Sequence, residues 1–261
     1  MDVKMLRGHK ITAGYNYMID QSRSFTFNPD RTQTLAQTKY GINQSAVYLQ
    51  DQYQFLNEKA TLIVGIRRDW WKYHDVYDTG STNRTPPDVD KAATTYRGGL
   101  KFRVTDQFGL RASVGTAFWP GNATWFFQNL STGNTWREAN PGLKPESTYM
   151  GDAGVDFFSR SGKTQASATL YVGRITDAIS YVYAQHPTLP GVQIVRTSNS
   201  DEVSIKGLEL ALRRQILPNW SGYANYTLNR SRITVSATNK GHQLRNSPDN
   251  LANFGLQYAD N

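Results

Sequence analysis

From Tyr96 the chain alternates: Tyr96, Gly98, Leu100, Phe102 and Val104 interleave with Arg97, Gly99, Lys101 and Arg103. After Thr105-Asp106-Gln107 the pattern resumes with Phe108, Leu110, Ala112, Val114, Thr116 and Phe118. Side chains two apart share one face of a strand, so 93–105 and 107–119 predict a hairpin with one apolar and one cationic face. The same period recurs at Tyr149, Gly151, Ala153, Val155 and Phe157, and again at Ala252, Phe254, Leu256 and Tyr258. Strands are predicted at 8–20, 40–54, 60–74, 93–105, 107–119, 145–158, 163–184, 192–214, 219–231 and 249–259, about ten in all, with no convincing helix. Between Val203, Ile205 and Leu208, Leu210, Leu212 the apolar positions change parity. An extra residue near Gly207 would restore one face, which predicts a β-bulge there.

The connections alternate in length along the chain. Segments 21–39, 75–92, 120–144 and 232–248 are long, and 185–191 is a tip between two long strands. Between them stand tight turns at 55–59, 105–106, 159–162 and 217–218. Strict alternation of short turns and long loops belongs to outer-membrane barrels. The expected fold is therefore all-β, a set of antiparallel transmembrane β-barrel strands. The apolar face is expected to meet lipid and the Arg/Lys face a watery lumen. Trp70, Trp71, Tyr73, Phe118 and Trp119 fall at loop ends, and Tyr53, Phe55, Phe108 and Trp220 at short-turn ends, as interfacial girdles require.

Composition narrows this further. Fifteen Tyr, 11 Phe and 6 Trp make 12% of the 261 residues, enough to furnish such girdles. No run approaches the roughly 20 apolar residues of a spanning helix. With no cysteine there is no disulfide, thiolate metal site or cysteine nucleophile. The net charge of +8 is spread over alternate strand positions without a basic run, so no nucleic-acid partner is expected. MDVKMLRGHK lacks the apolar region of a signal peptide, so in an exported protein the N-terminus is expected to lie upstream.

Chemistry of the catalytic kind is not visible. Gly-x-Ser-x-Gly and His-Glu-x-x-His are missing, and His9, His74, His186 and His242 are scattered. Asp75, Asp78, Asp88 and Asp90 offer the oxygen ligands that Ca²⁺ takes, but their spacing matches no calcium loop. No catalytic residue, metal site or cofactor is expected, and the chain is read as no enzyme.

Three segments resemble the barrel of TonB-dependent outer-membrane receptors. VYLQDQYQFLNEKATLIVGIRRDWW (47–71) is similar to that family's Tyr-x-Gln-Asp strand, short turn and Gly-x-Arg return strand. ANPGLKPESTYMGDAGVDF (139–157) resembles its Asn-Pro-x-Leu-Lys-Pro-Glu loop and following strand, with Asp152 where Glu is common. SIKGLELALRRQILPNWSGYANYTL (204–228) resembles its Gly-x-Glu strand and Trp-led return, and LRNSPDNLANFGLQY (244–258) continues the order. TAFWPGNATWFF (116–127) departs from the Arg-Ala-Pro-like element of many relatives.

The resemblance implies a barrel of about 22 strands around a plugged lumen. Residues 1–261 are then expected to be part of that barrel domain, with no plug domain and no TonB box. The implied function is energised uptake of a metal chelate across the outer membrane of a Gram-negative type of cell. A siderophore ranks first, cobalamin or haem next. Ligand docks on loops and plug, and the TonB complex acts only through the plug region missing here. The alternative is a passive porin or a structural, adhesive outer-membrane barrel; a soluble carbohydrate-binding β-protein is a third reading. Expected ligand-facing residues are Trp119, Trp125, Phe126, Trp136, Arg137, Tyr181, Tyr183 and Arg196, with Phe127 beside them. Aromatic faces and guanidinium groups suit large anionic or aromatic chelates. The other expected partners are outer-membrane lipid and lipopolysaccharide. Alone in water, the chain is expected to aggregate.

Overall fold

The computed structural model describes residues 2–3, 7–27, 30, 32–81 and 85–260. Strands β1 (Asp2–Val3), β2 (His9–Phe27), β3 (Thr34–Phe55), β4 (Ala60–Asp78), β5 (Val89–Arg103) and β6 (Phe108–Trp119) follow one another. A short helix, α1 (Ala123–Phe127), and a small hairpin, β7 (Leu130–Thr132) with β8 (Thr135–Glu138), interrupt the run. It resumes with β9 (Glu146–Phe158), β10 (Thr164–Gln185), β11 (Gln193–Leu217), β12 (Trp220–Val235) and β13 (Asn250–Tyr258). All thirteen strands belong to one sheet, in which each long strand pairs antiparallel with the next and β6 passes directly to β9. Among the described residues the sheet is open, with β1 and β13 at its edges. The ten predicted strands are all present.

Register shows why the alternation matters. Leu62, Leu100, Ala112, Ala153, Leu170, Leu208 and Leu228 lie in direct cross-strand succession over seven strands. The next row toward the short turns is Ala60, Phe102, Leu110, Val155, Ala168, Leu210, Tyr226 and Ala252. These rows make a continuous apolar face, and Leu100, Leu110, Leu170, Leu210 and Phe254 are exposed on it. The opposite face is polar and internally bonded. Arg111 Nε donates to Asp156 (3.3 Å), Tyr171 Oη donates to Asn229 (3.1 Å) and Asn225 donates to Asn253 (2.8 Å). At the short-turn ends the expected girdle is paired ring by ring: Tyr53 with Phe55, Phe108 with Phe157, and Trp220 with Tyr258, centroids 5.1–5.3 Å apart.

Four expectations need correction. The ladder runs through Gly207 without a bulge, pairing it with Tyr171 and Asn229. Glycine stands there because a Cβ would lie 2.4 Å from the Tyr171 hydroxyl, which crosses it to reach Asn229. The parity change is a real change of face: Val203 points to the side opposite Leu208 and is 2% exposed. Irregularities fall instead between Ile175 and Ile179 and between Glu202 and Val203. Second, the loop at 21–39 is mostly strand and that at 75–92 is strand at both ends, since β2, β3, β4 and β5 continue beyond the apolar rows. Backbone pairing is satisfied by the neighbouring strand whatever the side chains, so it outlasts the alternation. Third, 120–144 carries α1 and the β7–β8 hairpin. Fourth, Trp71 and Tyr73 are no girdle: both are buried, at 4% exposure.

Candidate ligand-contact surface

The loop end of the sheet holds its one apolar cluster of sealed residues among those described. Trp71, Tyr73, Val76 and Val89 from β4 and β5 meet Ala123, Phe126, Phe127 and Leu143 from the 120–144 segment. Asn122 caps α1, its side-chain oxygen accepting from the Thr124 N–H at 3.1 Å. That cap turns Phe126 and Phe127 inward, to 2% and 1% exposure. Phe126 stands 5.3 Å from the Tyr73 ring, Phe127 5.6 Å from Tyr40, and Trp71 stacks on Phe118 at 5.1 Å. Lys91 Nζ lies over the Phe126 ring at 5.3 Å and donates to the Pro141 carbonyl at 2.9 Å.

The Asn140–Glu146 element is a clasp. Asn140 accepts from the Gly142 N–H (3.1 Å) and donates through its amide to the Thr197 carbonyl (2.8 Å). Asn199 accepts from the Lys144 N–H (2.8 Å) and donates to the carbonyls of Lys144 and Asp177. Glu146 accepts from the Ile179 N–H at 2.6 Å. Leu143, wholly buried, supplies the apolar anchor. The whole 120–144 segment is thereby fastened to β10 and β11, and β8 adds a parallel pairing with Gln193–Arg196 of β11.

What remains outside this core is a band of rings. Trp119 and Trp125 meet edge to face at 5.5 Å, and Trp125 meets Tyr181 at 6.2 Å. Tyr183 is exposed, and Trp136 packs edge-on to His186 at 5.9 Å. Arg137 sits in the β8 register opposite Leu130 and Val195, one step from Trp136. Arg196 is ion-paired with Glu138. Of the residues expected to face ligand, the structure therefore joins Trp119, Trp125 and Tyr181 in one array, places Trp136 and Arg137 on the β7–β8 hairpin, and sets Arg196 on β11 beside it. It places Phe126 in the core.

The aspartates of the 75–90 region do not converge. Asp75 pairs with His74, Asp88 with Lys72, and the buried Asp78 accepts from the Gly80 N–H and the Gln128 amide. Asp78 thus ties the 79–88 loop to the 120–144 segment. Among the described residues no group of three potential metal ligands is present. Sequence reasoning missed Lys91 and Asn199, whose partners lie about 50 residues away in the chain. It also assigned the cations to the lumen, whereas Arg68, Lys206, Arg230 and Arg232 share the parity of the apolar rows. That signal was present in the alternation itself.

Comparison with known proteins bears on the fold. The sequence profile of the family described as TonB dependent receptor-like, beta-barrel matches residues 3–261. No curated protein sequence matches the chain. Among solved structures it is similar to the copper transporter OprC, with a TM-score of 0.73 at 19% identity over 97% of this chain and 39% of that one. It is also similar to the ferric-catecholate import receptor Fiu from K12 E. coli (TM-score 0.71, 16% identity, 96% of this chain and 39% of that one). A third is the alcaligin outer-membrane receptor FauA from Bordetella pertussis (TM-score 0.66, 22% identity, 96% of this chain and 39% of that one). The chain spans well under half the length of each.

Proposed function

This chain belongs to the TonB-dependent receptor-like β-barrel family, and on that premise we propose that it builds part of the barrel wall of an outer-membrane receptor that imports a metal chelate. A siderophore ranks first, with cobalamin or haem next. The names of the solved relatives, a copper transporter, a ferric-catecholate receptor and an alcaligin receptor, support a chelate as cargo. The observation that carries the reading is the Trp119–Trp125–Tyr181 array, packed on a sealed core at the loop end through Trp125, with Arg137 on β8 across β11 from β10. Preorganised rings lose little entropy on binding, and a neighbouring guanidinium supplies the charge that an anionic chelate needs.

In this reading the polar face lines the lumen, the apolar rows face lipid, and the chain itself performs no catalysis. Opening of the passage belongs to a plug coupled to the TonB complex in the intact receptor. The rival, a passive porin or adhesive barrel, would need neither the ring array nor TonB. The test uses the full-length receptor with a panel of ferric catecholates, ferric hydroxamates, cobalamin and haem. Trp125→Ala with Arg137→Ala should weaken binding of one of these by roughly tenfold or more while folding is kept. Uptake of that ligand should also vanish when TonB is deleted. Unchanged affinity in a correctly inserted double variant would remove this surface from the site. TonB-independent permeation would favour the porin.

A further inference from the structure

On the polar face, two neighbouring rows of side chains enclose a hollow of about 300 Å³. One row runs Gln50–Gly65–Arg97–Gly115 across β3, β4, β5 and β6. The other, one step nearer the loops, is Tyr48–Arg67–Thr95. Gly65 lies between Gln50 and Arg97 and forms the floor. The Arg97 side chain leans across it, since a Cβ on Gly65 would meet the Arg97 Nε at 3.2 Å. Glycine inside a strand marks a place where the backbone is approached closely. Along β6, Gly115 is four residues from Trp119, about 13 Å in an extended strand. The hollow therefore lies below the ring array, toward the short turns.

The polar groups around this hollow do not satisfy one another. Arg67 is neutralised by Asp69, whose two oxygens accept from its Nε at 3.1 and 2.9 Å, and its Nη1 donates to Asn16 at 3.1 Å. Asp152 is engaged by Ser113 and Arg111. Arg97 is exposed and has no carboxylate or hydrogen-bond partner among the described residues. Across the floor from it, the Gln50 carboxamide oxygen is buried and accepts from nothing. A guanidinium carries five N–H donors and no acceptor, and a buried oxygen without a donor forfeits its hydration. The hollow lacks two things at once: an anion for Arg97 and a donor for Gln50.

We propose that Arg97 and Gln50, with Thr95 and Tyr48 beside them, form a second, deeper binding site for the cargo, which takes an anionic oxygen flanked by an O–H or N–H donor. Arg97 donates two parallel N–H bonds to the anion, and the Gln50 oxygen accepts from the neighbouring donor. A chelate arm that joins a carboxylate or phenolate to a hydroxyl or an amide meets both needs. The inference rests on the chelate-import reading of the receptor.

The test uses the full-length receptor in detergent and two probes, para-fluoro-meta-hydroxybenzoate and para-fluorobenzoate, followed by fluorine NMR line broadening. The parent should bind the hydroxylated probe saturably. Arg97→Gln should weaken it roughly tenfold, and Arg97→Lys should weaken it less. Lys101, an exposed cation on the same face of β5, is the control, and Lys101→Gln should bind as the parent does. Gln50→Leu should weaken the hydroxylated probe roughly fivefold and leave para-fluorobenzoate unaffected. In cells, Arg97→Gln should lower the maximal uptake rate of the imported chelate several-fold, with Arg97→Lys recovering part of it. Absence of saturable binding by the parent, as when a carboxylate of the plug fills the hollow, would overturn the site. So would equal losses for Arg97→Gln and Lys101→Gln, or a Gln50→Leu effect common to both probes. Unchanged uptake in Arg97→Gln would take the hollow off the cargo's path. If no chelate is imported at all, the import reading fails, while the probe titrations still decide the hollow.

Discussion

The two ends of this sheet are built on different principles. Toward the short turns each strand shows one apolar and one polar face, and no residue there needs a neighbour more than a strand or two away. Tyr53, Phe108 and Trp220 end their strands beside rings supplied by the same strand or a paired one. Toward the loops, Trp71, Tyr73 and Val89 are covered by a segment some 35 to 70 residues further on, and the seal is close: Phe126, Phe127 and Leu143 are at most 2% exposed. The first end takes its apolar partner from the surrounding medium. The second makes its own. A binding surface needs rigid support above the medium, and only the second arrangement supplies it.

If the two ends are energetically separate, damage to one should spare the other. Phe126→Ala should cost about 3–5 kcal/mol of local stability. In the full-length receptor, hydrogen exchange should show residues 120–144 losing protection while β5 and β6 keep theirs. Concerted loss in both would mean that the ends form one cooperative unit. The complementary change is Leu110→Arg on the apolar face, which should cost roughly 2–4 kcal/mol near a bilayer midplane. Urea unfolding in lipid vesicles measures it, and the 120–144 segment should stay protected until the barrel melts.

The polar face sharpens the contrast on a smaller scale. Lys101→Ala should lie within about 0.5 kcal/mol of the parent, since its side chain is exposed. Arg111→Ala should cost more, roughly 1–2 kcal/mol, because Asp152, Asp156 and Thr169 lose a shared donor. Equal unfolding midpoints for the two variants would deny the lumen network any role. The smallest effect concerns acid. Asp249, in the loop before β13, is held below its ordinary value of 3.8, first by its hydrogen bond from Arg232 and then by the charges of Arg232 and Arg230. A depressed carboxylate contributes stability that is complete above its unfolded value and is lost as pH falls through the folded one. Amide exchange in 236–249 should therefore rise only below about pH 4, and Asp249→Asn should remove that pH dependence.

The strand alternation alone made the ten strands, their order and the apolar face legible, because period two is a local property that one-sided exposure imposes on each strand. It also contained, unread, the outward placement of Lys206, Arg230 and Arg232, whose parity is that of Leu208 and Leu228. Other features had no local signature. The strand extensions past residues 20 and 74 are held by backbone pairing, which leaves side chains free to be polar. Gly207 looked like a bulge because the reason for it, the Tyr171 ring crossing from β10, lies on another strand. Phe126 and Trp125 are neighbours in one apolar run, yet one is sealed and the other stands beside Trp119. The sequence by itself determined that this chain is an antiparallel sheet with a lipid-like face. Only the tertiary structure decided which aromatic residues form a core and which a surface, because that choice depends on Asn140, Asn199 and Lys91 closing hydrogen bonds across some 50 residues of chain.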